Sequence, residues 1–282
     1  MVIGEELSRV IDVLKSGGNE NSCFEANLIF RYVLDISPID LVLSRDKEIS
    51  VADISKIDEF VKRRLNNEPL QYILKSQEFM GFNFYVDENV LVPRQDTEIL
   101  VEHILEHFAG KGITAIDFGT GSGCIAISIA KINQKAFVKA VDISEKALEI
   151  AKKNAKDNDV LDRVSFEEAD IFTYELYGKY DLIVSNPPYI KSKDIMDLQK
   201  DVKNFEPTLA LDGGETGLIY YERIIKIAPK LLNKDGMIAF EVGFDQAEDV
   251  KKLMEKDFYD IKIIKDLCGV DRVVSGLYKG AV

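Results

Sequence analysis

Cysteine is scarce in this chain, and long apolar runs are missing altogether. The three cysteines, Cys23, Cys124 and Cys268, stand far apart and form no C-x-x-C pair. That spacing excludes a sequence-recognisable zinc ribbon or disulfide framework and suits a reducing compartment, so a cytoplasmic protein is expected. No stretch approaches the ~18 apolar residues of a membrane-spanning helix, so no membrane partner is expected. The opening Met1-Val2-Ile3-Gly4-Glu5-Glu6 has no basic segment ahead of an apolar one, and no secretion signal is expected. An excess of positive charge is lacking too. Against 49 acidic residues stand 36 basic ones, a net charge of −13, divided as −6 in residues 1–90 and −7 in the remainder. Neutralising many phosphates needs a positive face, so nucleic acid is disfavoured as a partner.

What is present divides into two patterns. Over the first seventy residues, apolar positions recur at helical spacing: Leu7, Val10, Ile11 and Leu14 before Gly17-Gly18, then Ala26, Ile29 and Val33. Ser37-Pro38 reads as an N-cap followed by proline at the first helical position. Ser50 with Asp53 opens a further helix that ends at Arg63-Arg64, read as a solvated helix end. These segments make a helical bundle. Residues 82–92 alternate apolar and polar around Asp87-Glu88-Asn89, which predicts a β-hairpin.

From Thr97 onward helix and strand alternate. Strands are expected at 114–118, 138–142, 163–166, 180–184, 236–242, 260–264 and 273–277, with helical patterns in most of the intervals. Crossover helices imply a mostly parallel sheet covered on both faces. The last two strands are joined too closely for a helical crossover, so the final pair should be antiparallel.

The first of these strands runs into Gly119-Thr120-Gly121-Ser122-Gly123, a glycine loop that opens a helix. Such a loop lets a ligand approach backbone N–H groups, although a tight strand-to-helix corner has the same spelling. A dinucleotide fingerprint wants Gly or Ala where Cys124 stands, so a nicotinamide cofactor fits poorly. Asp142 ends the second strand, where a carboxylate can accept both hydroxyls of a ribose. Asp170 follows the third, with the Ile171 backbone beside it, and can accept from an adenine amino group. Loop, Asp142 and Asp170 in this order resemble an S-adenosylmethionine site, with Asp117 either supporting the loop or facing the methionine end.

The fourth strand ends in Asn186-Pro187-Pro188-Tyr189. Two prolines fix φ and remove two donors, leaving a rigid turn with outward carbonyls. The Asn186 side-chain oxygen and the Pro187 carbonyl can accept both hydrogens of one planar NH2 group, and Tyr189 offers it a flat face. An amide or aryl amine nitrogen needs that help, because its lone pair is delocalised.

Together these features resemble the release factor glutamine methyltransferases, protein-(glutamine-N5) methyltransferases of the PrmC/HemK type. The resemblance extends over nearly the whole chain. It includes Glu68-Pro69-Leu70-Gln71-Tyr72-Ile73, Val92-Pro93-Arg94-Gln95-Asp96-Thr97-Glu98, Ala210-Leu211-Asp212-Gly213-Gly214, Glu241-Val242-Gly243 and Asp271-Arg272-Val273-Val274. The chain departs from that pattern at Gln95, where the family usually has proline, and at Asn67 and Lys75, where it usually has glycine. The resemblance implies an α/β, Rossmann-like class I methyltransferase sheet of seven strands, the last antiparallel, behind an N-terminal helical bundle. It divides the chain into a substrate-docking bundle (1–75), a hairpin linker (76–93) and a catalytic domain (94–282). It implies S-adenosylmethionine as cofactor, held by Gly119, Thr120, Gly121, Ser122, Gly123, Asp142, Asp170, Ile171 and Asn186. It further implies that Asn186, Pro187, Pro188 and Tyr189 handle the Gly-Gly-Gln glutamine of a release factor.

Two other substrates suit the same tetrapeptide: adenine N6 in DNA or RNA, and a glutamine of a ribosomal protein. A non-catalytic cofactor-binding assembly factor would have no need for Asn186 and Tyr189. His103-Ile104-Leu105-Glu106-His107 spells H-x-x-E-H, but it lies on a charged helix and no metal site is expected. Tyr220-Tyr221-Glu222-Arg223 reads as packing and surface.

Overall fold

The computed structural model describes residues 1–173, 175 and 177–280. The chain divides into two compact units, residues 1–75 with 200–205, and residues 76–199 with 206–282.

The first unit holds α1 (Ile3–Ser16), α2 (Ser22–Leu34), α3 (Pro38–Leu43), α4 (Val51–Leu65) and α5 (Leu70–Leu74), together with the short helix Lys200–Phe205, α9 in chain order. Leu7, Val10, Leu14, Ala26, Ile29, Phe30, Ile57 and Val61 form its core, on the faces the helical spacing picks out. The Ser37 and Ser50 hydroxyls accept from the Asp40 and Asp53 amides at 3.1 Å, so both expected caps are present. Arg63 and Arg64 are not a solvated end. Arg64 Nε lies 2.7 Å from Glu25 Oε2, and Arg63 pairs with Glu68, so the two guanidiniums tie α4 to its neighbours. Asn67 and Lys75, the two positions where glycine is usual, have φ of +65° and +53°.

The second unit opens with the hairpin β1 (Gln77–Phe79) and β2 (Phe82–Phe84), turning at Met80-Gly81 with φ of +52° and +76°. The hairpin expected over 82–92 is therefore absent in that form. Val86, Val90 and Val92 are buried as the alternation requires, but no strand among the described residues pairs with them. Asp87 instead closes a turn, its carboxylate accepting from Asn89 N at 3.0 Å. Period-two burial is necessary for a strand but does not supply a partner.

Then follow α6 (Gln95–His107), β3 (Ile113–Phe118), α7 (Cys124–Ile132), β4 (Ala136–Asp142), α8 (Glu145–Asp157), β5 (Val164–Glu168), β6 (Tyr180–Ser185), α10 (Ile219–Leu231), β7 (Leu232–Glu241), α11 (Ala247–Met254), β8 (Phe258–Lys265) and β9 (Asp271–Tyr278). The seven strands from β3 onward form one sheet in the order β5-β4-β3-β6-β7-β9-β8, and β9 alone runs antiparallel to its neighbours. This is the expected α/β architecture. Both faces are covered, which explains the near-continuous apolar strands. Ala115, Leu182, Val184 and Ala239 face a core with α6 and α7. Ile116, Ile183, Ile238 and Phe240 face the opposite core with α10 and α11. After β3 the chain goes to β4 and β5 on one side and returns to β6 on the other, so the strand order reverses at the carboxyl ends of β3 and β6. Open α/β sheets bind ligands at that point.

Candidate active site

A cleft lies at this reversal, lined only by residues of the second unit. Its floor is the glycine loop after β3. Gly119 N and Thr120 N donate to the Val141 carbonyl at 2.8 and 3.0 Å, which fastens the loop to β4. Gly119 and Gly121 both line the cleft with positive φ, and a Cβ at either would meet no protein atom within 4 Å. A side chain there would project into open space, so these glycines keep room for a ligand rather than for packing. Gly123 differs. It caps α7 at φ +81°, and a Cβ would press on Ile127 at 2.8 Å and Ala151 at 3.1 Å.

Asp142 stands beside the loop at the end of β4. Its carboxylate accepts from Gly121 N at 2.8 Å and Ser144 N at 3.0 Å, which fixes its orientation toward the cleft. Burial raises its pKa, and the amides of Ser144, Gly121 and Ile143 oppose that rise. Asp117, one residue before the loop end of β3, is fully buried. Thr120 Oγ1 donates to its Oδ2 at 2.6 Å, and its Oδ1 has no hydrogen-bond partner among the described residues. Burial pushes this carboxyl up to about 7, with Asp142 adding to the rise. Asp117 therefore supports the loop.

The far wall comprises Ala169, Asp170, Ile171, Phe172 and Tyr220. Asp170 also shapes its own turn, accepting from Phe172 N at 2.9 Å. Phe172 and Tyr220 meet edge to face, ring centroids 5.2 Å apart, and Arg223 Nε donates to the Ile171 carbonyl at 2.6 Å. Val90 and Leu91 add apolar cover. This wall can take a flat aromatic ring with polar groups at its edge.

Ser185, Asn186, Pro187 and Pro188 also line the cleft, as do Pro207, Leu209 and Ala210. Ser185 Oγ donates to the Phe118 carbonyl at 2.7 Å, locking the end of β6 to β3. Asn186 Nδ2 donates to Thr97 Oγ1 at 3.3 Å, and Thr97 Oγ1 donates to Glu241 Oε2 at 2.5 Å. Tyr189 OH donates to Glu241 Oε1 at 3.5 Å, while Gln246 Nε2 donates to the Tyr189 carbonyl at 3.0 Å. Gly213 and Gly217 pass so close that a Cβ would fall 2.8 Å from Tyr189 Cα and 2.5 Å from its carbonyl oxygen. The tetrapeptide is thus held on every side. Burial pushes Glu241 up to about 7 despite the Thr97 hydroxyl, with Asp96 adding to the rise and Arg272 opposing it. Burial and Glu241 raise the Tyr189 hydroxyl. Nearby, Arg94 pairs with Glu206 at 2.5 Å, and Arg272 bridges Asp96 and Asp266 at 2.9 Å each.

Of the residues expected at the site, Gly119, Gly121, Asp142, Asp170, Ile171, Asn186, Pro187 and Pro188 line one cleft. Thr120, Ser122 and Gly123 do not. The Thr120 hydroxyl turns to Asp117 and the Ser122 carbonyl accepts from Asn154 Nδ2 at 2.9 Å, so both serve the loop. Tyr189 lies behind the turn on Glu241. Tyr220, expected as packing, is instead a wall of the cleft, whereas Tyr221 is packing, its hydroxyl on the Glu241 carbonyl at 2.9 Å. Two adjacent tyrosines on an apolar-periodic helix must face different ways, and that was the available signal. Thr97 and Glu241 lay inside quoted motifs, but no local pattern reveals that residues 144 apart share a hydrogen bond. His103 Nε2 lies 2.9 Å from Ser275 Oγ, and no group of three or more metal-binding side chains occurs among the described residues.

Known proteins resemble this chain over most of its length. Residues 94–204 match the family model described as methyltransferase small domain, and residues 5–74 match that described as PrmC N-terminal domain. A protein of Clostridium acetobutylicum named release factor glutamine methyltransferase is 38% identical over 284 residues, covering 99% of this chain and 100% of the relative. Its namesake in Geobacter sulfurreducens is 39% identical over 264 residues, covering 93% and 92%. Among solved structures, a methyltransferase from Pyrococcus furiosus shares the fold with a TM-score of 0.53 at 20% identity, covering 78% of this chain and 98% of that one.

Proposed function

The chain belongs to the release factor glutamine methyltransferases, and from that premise we propose that it methylates the side-chain amide N5 of the Gly-Gly-Gln glutamine in a peptide chain release factor. S-adenosylmethionine is the methyl donor. The observation that carries the reading is that one cleft joins Asp142, Asp170 and the glycine backbone to Asn186 and Pro187. The open space over Gly119 and Gly121 fits such a cofactor.

In this reading Gly119, Gly121, Asp142, Asp170 and Ile171 hold the cofactor: Asp142 through the ribose hydroxyls, Asp170 and the Ile171 backbone at the adenine edge. When bound, S-adenosylmethionine supplies an electrophilic sulfonium methyl group. The work of the protein is to make an amide nitrogen attack. Asn186 Oδ1 and the Pro187 carbonyl accept the two N5 hydrogens, which aims the nitrogen and stabilises the positive charge that grows on it. Tyr189, fixed through Glu241 and Gln246, braces the turn from behind and so holds the two acceptors in place. Holding nucleophile and methyl in line is worth about 7–11 kcal/mol of the barrier. No general base is needed before transfer, because the nitrogen becomes acidic once methylated and its proton leaves afterwards.

The helical bundle of residues 1–75 is the docking module in this reading, residues 76–93 the connection and residues 94–282 the catalytic domain. The acidic balance supports a protein rather than a nucleic acid as partner. A release factor places the enzyme in the cytoplasm.

The test is transfer of labelled methyl to a purified release factor, its Gln-to-Ala loop variant, a ribosomal protein, and adenine-containing DNA and RNA. Label on the release factor alone, lost with the loop variant and with Asn186→Ala, is the expected result. Label on nucleic acid or on the ribosomal protein instead would replace the substrate while leaving the site.

A further inference from the structure

The acceptor at Asn186 depends on groups that do not line the cleft. A primary amide carries an oxygen on one side and an NH2 on the other, and a half-turn exchanges them at little steric cost. Only the oxygen can accept from an incoming N–H. Asn186 is therefore useful in one of its two orientations, and something must choose it.

Thr97 and Glu241 supply the choice. Both are almost wholly buried, at 2% and 4% exposure. Once ionised, above the value of about 7 to which burial pushes it, the Glu241 carboxylate accepts and cannot donate, so the proton of the Thr97 hydroxyl is committed to Glu241 Oε2. Thr97 is left with lone pairs only for Asn186. A lone pair engages the NH2 of that amide and repels its oxygen, so Nδ2 turns inward to Thr97 and Oδ1 is left for the cleft. The chain Asn186 to Thr97 to Glu241 runs one way, and its direction is set at the buried end. The second oxygen of the same carboxylate receives the Tyr189 hydroxyl, so Glu241 holds Tyr189 directly and Asn186 through Thr97.

We propose that Thr97 and Glu241 are positioning residues that set the orientation of the Asn186 amide, and so make the site selective for a nucleophile that arrives as an NH2 donor. This deepens the methyl-transfer reading above and rests on it.

The experiment compares the full-length wild type with Thr97→Val, Thr97→Ser and Glu241→Gln at pH 8 and above, on the ionised side of the value of about 7 to which burial pushes Glu241. Methyl transfer to a release factor gives kcat and KM, and calorimetry gives S-adenosylmethionine affinity. Thr97→Val keeps the shape but cannot accept from Asn186, and Glu241→Gln can donate as readily as accept, so the chain loses its direction. Both variants should lose about 10–100-fold in kcat, as expected for an interaction that acts mainly in the transition state. Cofactor affinity should stay within about 3-fold of wild type, and Thr97→Ser should restore kcat. A wild-type kcat in Thr97→Val, or cofactor affinity lost in step with activity in both variants, would overturn the inference and assign the pair a merely structural role. Failure of the wild type to methylate any release factor overturns the functional reading and this inference with it. Wild-type transfer with unaffected variants overturns the inference alone.

Discussion

Asn154 on α8 holds Tyr85 by both of its backbone groups. Its Oδ1 accepts from Tyr85 N at 2.7 Å, its Nδ2 donates to the Tyr85 carbonyl at 2.9 Å, and the same Nδ2 donates to the Ser122 carbonyl at 2.9 Å. One fully buried amide thus takes the place of a ladder partner at Tyr85 and ties it to the glycine loop. Truncating it would strand the buried Ser122 carbonyl and two part-buried backbone groups of Tyr85, at about 1–3 kcal/mol for each buried group before relaxation and water entry. Asn154→Ala should cost about 3 kcal/mol of stability in total, seen as a lower urea midpoint. A midpoint within experimental error of wild type would show that water replaces the amide at no cost.

The sheet is legible in the sequence because its central strands are buried on both faces and read as short apolar runs bounded by turn residues. Asp142, Asp170 and Asn186 were legible for a related reason: each sits where a strand stops, and the strand ends converge at the reversal of strand order. What could not be read was pairing at a distance. The Val86–Val92 alternation carries no mark that the chain entering it is fastened at Tyr85 by Asn154, more than sixty residues later. Likewise nothing near Glu241 announces Thr97. Within the glycine loop, spacing does not say which residues face the cleft and which turn inward, as the Thr120 hydroxyl and the Ser122 carbonyl do.

The departures at Gln95, Asn67 and Lys75 have a conformational meaning. Gln95 is the first residue of α6, where proline costs no hydrogen bond and its φ already suits the helix. Lys75 ends α5 in the left-handed region, where a Cβ is strained. Gln95→Pro should therefore stabilise by about 0.4–1 kcal/mol, and Lys75→Gly by about 1 kcal/mol. Thermal melts of the two single variants check both, and a lower melting temperature in either would contradict the reading of that position.

Asp117 makes stability depend on pH in an unusual sense. Its carboxyl is raised from 3.8 to about 7 by burial, so between those values the folded protein holds a proton that the unfolded chain has released. Stability from this group is therefore complete below about pH 4 and is lost as the pH rises toward 7. Asp117→Asn keeps an acceptor for Thr120 and removes the charge. It should raise the urea midpoint at pH 8, by about 2–4 kcal/mol of stability, and change it little at pH 4. An equal effect at the two pH values would mean that burial of the charge is not the cause.

The two walls of the cleft should separate in kinetics. Asp142→Asn removes a charge and one acceptor from the ribose position but leaves the tetrapeptide alone. Charge-assisted hydrogen bonds are worth about 1.5–3 kcal/mol, so S-adenosylmethionine affinity should fall roughly 10–100-fold, with a much smaller fall in kcat at saturating cofactor. Asn186→Ala removes an acceptor that acts on the nitrogen as charge grows there, so kcat should fall about 100–1000-fold while cofactor affinity changes little. Calorimetry and steady-state transfer on the two variants give four numbers. If Asn186→Ala lost cofactor affinity in proportion to activity, Asn186 would belong to the cofactor wall, and the assignment of the amide nitrogen to Asn186 and Pro187 would have to be withdrawn.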